Sequence, residues 1–360
     1  NIIIMDLKNF IDTNDNYINV LKQNDFIVKK KRNCILVKYK YEKKEFENMW
    51  EKYCKGCVIN IDLKKIVCLP PIKSELYLDT NTYDDYYIVQ ELIDGTMVNM
   101  FYDGYWRIST RSDMDGKNRW NYNTIESLFK QCCDYEHLSN QLNKKHCYCF
   151  TMNHKSIRHI SNVIENKITL VDEYDMELLT PVKKFTDLES CNIIHNIDIN
   201  GRHMNDIINH YLELNKDNVD FKGLTFKFKN KRVNVLNPKY VEIKNKLNIN
   251  TDNILYKFIQ TKKNRNLNEY IVLYPEHKTP FTKYSDIFNT LCQDVCNSYH
   301  DVFIHKVIVM KDIKYQLKPL LYDIQGIYLQ NRVYVNIDVV TNYINNLDTR
   351  KLVFVMKYYL

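Results

Sequence analysis

A chain of 360 residues with only seven glycines has few places where its backbone can enter left-handed conformations or pass close to a neighbour. That is about 2% glycine where soluble proteins use about 7%, so each remaining glycine is expected where the backbone requires one. Four of them punctuate strand-like runs. Gly56 precedes Cys57 to Ile61, Gly95 separates Tyr87 to Gln90 from Thr96 to Tyr102, Gly104 turns with Asp103 before Trp106 to Thr110, and Gly223 opens Leu224 to Phe228. Further strand-like runs are Cys34 to Tyr41, Ile66 to Leu69 (stopped by Pro70-Pro71), Tyr148 to Met152, Ile168 to Tyr174 and Arg232 to Val235. The last forms a predicted hairpin with Leu224 to Phe228 around Lys229-Asn230-Lys231. Helical periodicity marks Asp6 to Gln23, interrupted near Asp12 to Asn16, then Ile125 to Tyr135 and Met204 to Leu214. Beyond about residue 250 helices prevail, at Tyr284 to Cys296, Leu320 to Leu329 and Val335 to Leu347, with Asn336 or Asp338 as cap and one strand-like run at Val302 to Met310. The predicted class is α+β, with antiparallel sheets and flanking helices in residues 1–248 and a smaller, mostly helical module in 249–360.

Composition narrows the function classes. At 45% hydrophobic and 26% charged residues the chain is neither disordered nor fibrous. Lys+Arg 51 against Asp+Glu 44 gives a charge of +7, mildly basic and far from histone-like. No apolar run approaches the roughly 18 residues of a membrane span, so no membrane partner is expected. The first residues have neither the basic region nor the small-residue cleavage site of a signal peptide. Eleven cysteines, an odd number in a chain too long to need staples, predict a reducing compartment. The wealth of Asn, Ile, Lys and Tyr, all with AT-rich codons, points to an AT-biased genome.

The informative constellation runs Glu91-Leu-Ile-Asp-Gly-Thr96, Trp106-Arg-Ile-Ser-Thr-Arg-Ser112, Phe221-Lys-Gly-Leu-Thr-Phe-Lys-Phe228 and Arg232-Val-Asn-Val-Leu-Asn-Pro-Lys-Tyr240. This order resembles the covalent nucleotidyltransferase superfamily of RNA ligases, DNA ligases and mRNA capping enzymes, with its K-x-D-G, E-G-x-V and paired-lysine motifs. Lys55-Gly-Cys-Val-Ile-Asn-Ile-Asp62 and Pro70-Pro-Ile-Lys73 resemble the R-G-x-x-F-D and R-P-x-x-K-F segment that precedes the nucleophile in RNA ligases. Gly56, Gly95 and Gly223 fall on the family's glycine positions. The resemblance covers about residues 50 to 245 and is nearest to RNA-ligase-like proteins of large nucleocytoplasmic DNA viruses, in keeping with the AT bias. It implies ATP or GTP as the nucleotide, RNA and a viral protein as partners, and the host cytoplasm (viral factory) or the virion as location.

The family's chemistry needs a lysine amine that attacks the nucleotide α-phosphate, carboxylates for the metal and further lysines for the phosphates. Here the nucleophile position is Leu92, the motif glutamate is Lys222, a second carboxylate position falls on Thr151, and the lysine pair aligns to Asn234 and Leu236. The resemblance therefore implies a degenerate protein that binds RNA or nucleotide as a scaffold or accessory factor, with no catalytic and no metal-ligating residue. The expected phosphate contacts or pocket residues are Lys55, Lys73, Glu91, Asp94, Gly95, Arg111, Lys222, Lys227 and Lys229, with Lys227 and Lys229 on one strand face. Two alternatives stand: an active ATP-dependent RNA ligase or guanylyltransferase with Lys55 or Lys73 as displaced nucleophile, and a protein-interaction subunit whose pocket is packed shut by Leu92 and Leu236. Basic clusters at Lys29 to Arg32, Lys222 to Arg232 and Lys262 to Arg265, with Tyr39, Tyr41, Phe226 and Phe228 near them, suit nucleic acid, and a solvated strand face explains them equally. Cys54-x-x-Cys57 with His146-Cys147-x-Cys149 has zinc-like spacing, but buried structural cysteines are the expectation. No P-loop or G-x-G-x-x-G is present, against kinase, P-loop ATPase and dinucleotide chemistry.

Overall fold

The computed structural model describes residues 2–43, 45–83, 87–120, 122–199, 201–247 and 251–360. The chain divides into two units, Asn1–Lys244 and Asn245–Leu360, the division falling within the helix Pro238–Leu247. The boundary placed from sequence at 248/249 lies outside the described residues.

The first unit is a set of antiparallel sheets with flanking helices, the α+β class expected from the sequence. It begins with helices Ile2–Thr13 and Tyr17–Gln23. Ile4, Leu7 and Ile11 lie on one face of the first and are buried, while its Phe10 stacks on Trp50 at 4.7 Å between centroids. A four-stranded meander follows: Phe26–Lys31, Cys34–Tyr39, Lys55–Asn60 and Lys65–Cys68. The second sheet runs in the order Thr180–Pro181, Lys167–Asp175, His146–Asn153, Thr96–Tyr102, Trp106–Ser109, with Asn192–Ile193 parallel to Lys167–Asp175. Strand alternation gives it two buried faces. Met97 and Phe101 pack towards the meander's core, Val98 and Met100 towards helices Ile125–Lys130 and Tyr135–Gln141. The third sheet orders Glu75–Leu76, Arg232–Leu236, Gly223–Lys227, Ile88–Glu91. Val89, Leu224, Phe226, Val233 and Val235 cover one face of it against Ile207 and Ile208 of helix Met204–Leu214. That leaves Gln90, Thr225, Lys227, Arg232 and Asn234 on the opposite face.

The second unit is helical, built on Lys278–Tyr299, whose Phe281, Phe288, Leu291, Val295 and Tyr299 are buried. Helices Ile254–Lys263, Lys318–Asn331, Ile337–Asn346 and Thr349–Met356 pack on it, and Asn336 caps the third of these by accepting from the Val339 N–H. Two expectations need correction. Val302 to Met310 is not a strand: the long helix continues through a π-helical turn at His300–Ile304, and Val307 and Val309 are exposed. Its β-branched residues carry strand propensity, but no strand among the described residues of this unit pairs with them. Ile125 to Tyr135 is two helices, because the Asp134 carboxylate accepts the His137 N–H and caps a new start. No helix of the described residues is long and apolar enough to cross a membrane.

Candidate functional site

The loop Leu92 to Gly95 leaves the third sheet after Glu91 and enters the second at Thr96. The Leu92 N–H donates to the Gly223 carbonyl at 2.8 Å, which sets this loop against Lys222. Gly223, at φ +143°, has no room for a Cβ, which would lie 2.0 Å from the Val235 carbonyl oxygen. A Cβ on Gly95 would lie 2.7 Å from the Met152 carbonyl oxygen. The close approach of these backbones brings Asp94 and Lys222 together.

Asp94 is buried, and both its carboxylate oxygens are engaged. Oδ2 accepts from the Ile160 and Ser161 N–H groups at 3.0 and 3.2 Å, and Oδ1 from Lys222 Nζ at 3.1 Å and the Tyr240 hydroxyl at 2.8 Å. Burial pushes this carboxyl up, but Lys222, the Ile160 N–H, the Tyr240 hydroxyl and His159 outweigh it and hold the group at about 2.

Lys55 opens the third strand of the meander. Gly56 behind it has φ +108° and lies where a Cβ would meet the Arg111 Cα at 2.8 Å, so Arg111 is drawn against it. Arg111 Nη2 donates to the Tyr39 carbonyl at 3.2 Å, its guanidinium lies 4.8 Å over the Tyr39 ring, and its Nε is buried with no partner among the described residues. Lys73 Nζ stands 4.4 Å over Phe46 and 5.5 Å over Tyr39. Burial pushes the Lys55 ammonium down, and the charges of Arg232, Arg111, Lys222 and Lys73 push it further, to about 8. Lys73 is also held below its usual value, by burial and then by Lys52. Five cations thus converge, and among the described residues no carboxylate pairs with Lys55.

Asp172 binds the second sheet to the third. It pairs with Lys227 Nζ at 2.7 Å and with Arg232 Nη1, Lys227 also donates to the Val171 carbonyl at 2.6 Å, and Arg232 Nε donates to the Thr225 hydroxyl at 3.1 Å. Burial raises the Asp172 carboxyl, and Arg232 and Lys227 overcome this and lower it. The ion group stands on the wall of a cleft of about 790 Å³ lined also by Tyr53, Ile72, Gln90, Tyr174 and Phe228.

Of the residues singled out from sequence, Asp94 and Lys222 meet directly, Gly95 packs against Met152 and Thr151, and Lys55, Lys73, Arg111 and Lys222 share one electrostatic neighbourhood. Lys227 is engaged by Asp172. Lys229 lies on the exposed bend after the strand's end at Lys227, so the two do not form one free strand face, although both line the cleft beside Asp172. Glu91 pairs through its backbone with Leu224. Asp172 and Arg232 were not singled out as site residues. An acid inside the apolar run Ile168 to Tyr174 was the available signal, since a charge there needs a partner.

The carboxylates do not suit a divalent ion. Asp94 and Asp172 are both saturated by cations and N–H or O–H donors, and no group of three His, Cys, Asp or Glu among the described residues could hold a metal. All eleven cysteines are free thiols, Cys54, Cys57, Cys147 and Cys149 buried, while His146 Nδ1 meets Glu173 at 2.6 Å. Converging ammonium and guanidinium groups without free acids can bind anions, phosphate above all.

No family model matches the chain, and no curated protein matches it in sequence. Solved structures similar to it include ligases. A protein described as an ATP-dependent DNA ligase from Aquifex aeolicus is 12% identical with a TM-score of 0.44, over 94% of this chain and 77% of that one. An archaeal ATP-dependent RNA ligase is 12% identical with a TM-score of 0.40, over 67% of this chain and 64% of that one. An apo lysine-to-alanine mutant of a Naegleria gruberi RNA ligase is 15% identical with a TM-score of 0.35, over 43% of this chain and 50% of that one.

Proposed function

We propose that this chain is a catalytically silent, RNA-ligase-like protein that binds the phosphates of RNA, or of ATP or GTP, as a scaffold or accessory factor of a large DNA virus. The observation that carries the reading is that Arg111 and Lys73 stand over the same Tyr39 ring at 4.8 and 5.5 Å, in the electrostatic neighbourhood of Lys55 and of Lys222, beside a loop that offers Leu92 where the motif resemblance calls for a nucleophilic lysine. An aliphatic side chain has no lone pair with which to attack phosphorus. Location in the host cytoplasm or virion, and a viral protein partner, belong to the same reading through the composition and motifs.

The test is fluorescence anisotropy of labelled single-stranded RNA, with and without ATP or GTP, over a salt series. Low-micromolar binding that weakens steeply as salt rises, and is lost in Lys55→Glu with Arg111→Glu, is expected. Binding weaker than about 100 micromolar at low salt refutes it and moves the weight to a protein-interaction subunit.

One observation favours a second reading. A lysine held at about 8 is partly neutral near physiological pH, and a neutral amine is a nucleophile. In that reading Lys55 Nζ attacks the nucleotide α-phosphorus, a P–N bond forms as the bond to pyrophosphate breaks, and the amine proton goes to solvent. Transfer of α-phosphate label from ATP or GTP to the protein, lost in Lys55→Met, would establish it. Absence of label is the outcome expected of the silent protein.

A further inference from the structure

The cluster's inventory of donors and acceptors bears on the form in which phosphate is taken. Lys55 makes no ion pair among the described residues, Arg111 Nε is a buried donor without an acceptor among them, and Lys73 stands over two aromatic rings, its nearby acid Glu75 being paired with Lys52 at 2.6 Å. These groups supply positive charge and N–H donors, and none of them makes an ion pair among the described residues. The nearby acids are closed. Asp94 accepts four hydrogen bonds, and Asp172 is clamped between Lys227 and Arg232. A divalent ion entering here meets cations and acids that are already paired, and to gain a carboxylate oxygen it must displace Lys52 from Glu75, or Lys222 or Tyr240 from Asp94.

We propose that this site takes an oligophosphate stripped of divalent cation, its oxygens bound directly by Lys55, Lys73, Arg111 and Lys222, so that magnesium competes with the protein for the ligand. The inference deepens the phosphate-binding reading and rests on it. The ligand class is an unchelated di- or triphosphate chain, whether free, on a nucleotide or on the end of an RNA. Chelation by magnesium removes two negative charges from such a chain and covers oxygens that the lysines and arginine would otherwise bind, which weakens each contact in a partly buried site.

The experiment is isothermal titration of the full chain with inorganic tripolyphosphate, in resin-treated metal-free buffer and again with saturating magnesium chloride at matched ionic strength. Binding in metal-free buffer that weakens about tenfold or more with magnesium is expected. In Lys222→Gln, which returns an oxygen of Asp94, metal-free affinity falls and the penalty from magnesium shrinks. Equal or tighter binding with magnesium overturns the inference and leaves phosphate binding standing. No heat in either buffer, together with no RNA binding in the anisotropy assay, overturns both. No heat with RNA binding retained overturns the inference alone. Adenosine triphosphate and a 5′-triphosphorylated RNA, titrated in the same two buffers, separate the nucleotide from the RNA end as source.

Discussion

Asp94→Asn separates charge from shape at the residue that anchors the candidate site. Asparagine keeps the volume and one acceptor oxygen but cannot pair with Lys222. A carboxyl held at about 2 in the folded chain, against 3.8 ordinarily, contributes about 2.4 kcal/mol at neutral pH. Because the folded value lies below the unfolded one, that stabilisation is fully present well above pH 3.8, falls to about half by pH 3 and is nearly gone at about pH 2. The assay is urea unfolding followed by tryptophan fluorescence, which is selective because Trp50, Trp106 and Trp120 all lie in the unit Asn1–Lys244. At pH 7 the variant should unfold with about 2.4 kcal/mol less stability, and the two proteins should converge as the pH is lowered to 2. A gap that stays constant from pH 7 to pH 2 would show that the substitution acts through packing, and the electrostatic account of Asp94 would fail.

Gly223→Ala forces a Cβ against the Val235 carbonyl and should cost more than about 3 kcal/mol, read as a collapse of the thermal midpoint. Asp172→Ala leaves Arg232 and Lys227 buried without their acid and should cost about 3 to 5 kcal/mol in urea unfolding; a loss below about 1 kcal/mol would mean that water reaches the pair. Lys55→Met should stabilise the protein at pH 7 while weakening RNA binding, since it removes a cation surrounded by cations. The folded Lys55 value is lowered to about 8, so wild type gains stability as pH rises from about 8 towards 10.5 and Lys55→Met lacks that gain, which thermal denaturation at both ends of the window measures.

The sequence made those parts of the fold legible whose signal is local. Thr96–Tyr102 is a short apolar run that ends at an Asp-Gly turn, and the third-sheet hairpin closes around a polar tripeptide, so both strands of each pair could be read from one short window. Val302 to Met310 misled because β-branching is a property of residues whereas pairing is a property of neighbours, and among the described residues no strand was there to pair with. At the site, Asp94 and Gly95 stood out through a motif. Asp172 did not, because its two partners lie 55 and 60 residues away and nothing within Lys167–Asp175 announces them. The helix break before Tyr135 was readable in principle from Asp134, a good N-cap residue set inside a helical pattern.

The clamp of Asp172 between Lys227 and Arg232 has a kinetic corollary. It pins two sheets that flank one cleft, so the cleft's width is set before anything enters. A ligand would then associate in a single step, with an observed rate that rises linearly with concentration and no saturating closure phase. Amide protons of Lys167–Asp175 and Gly223–Lys227 would exchange as one unit, and freeing them would require the ion group to open first.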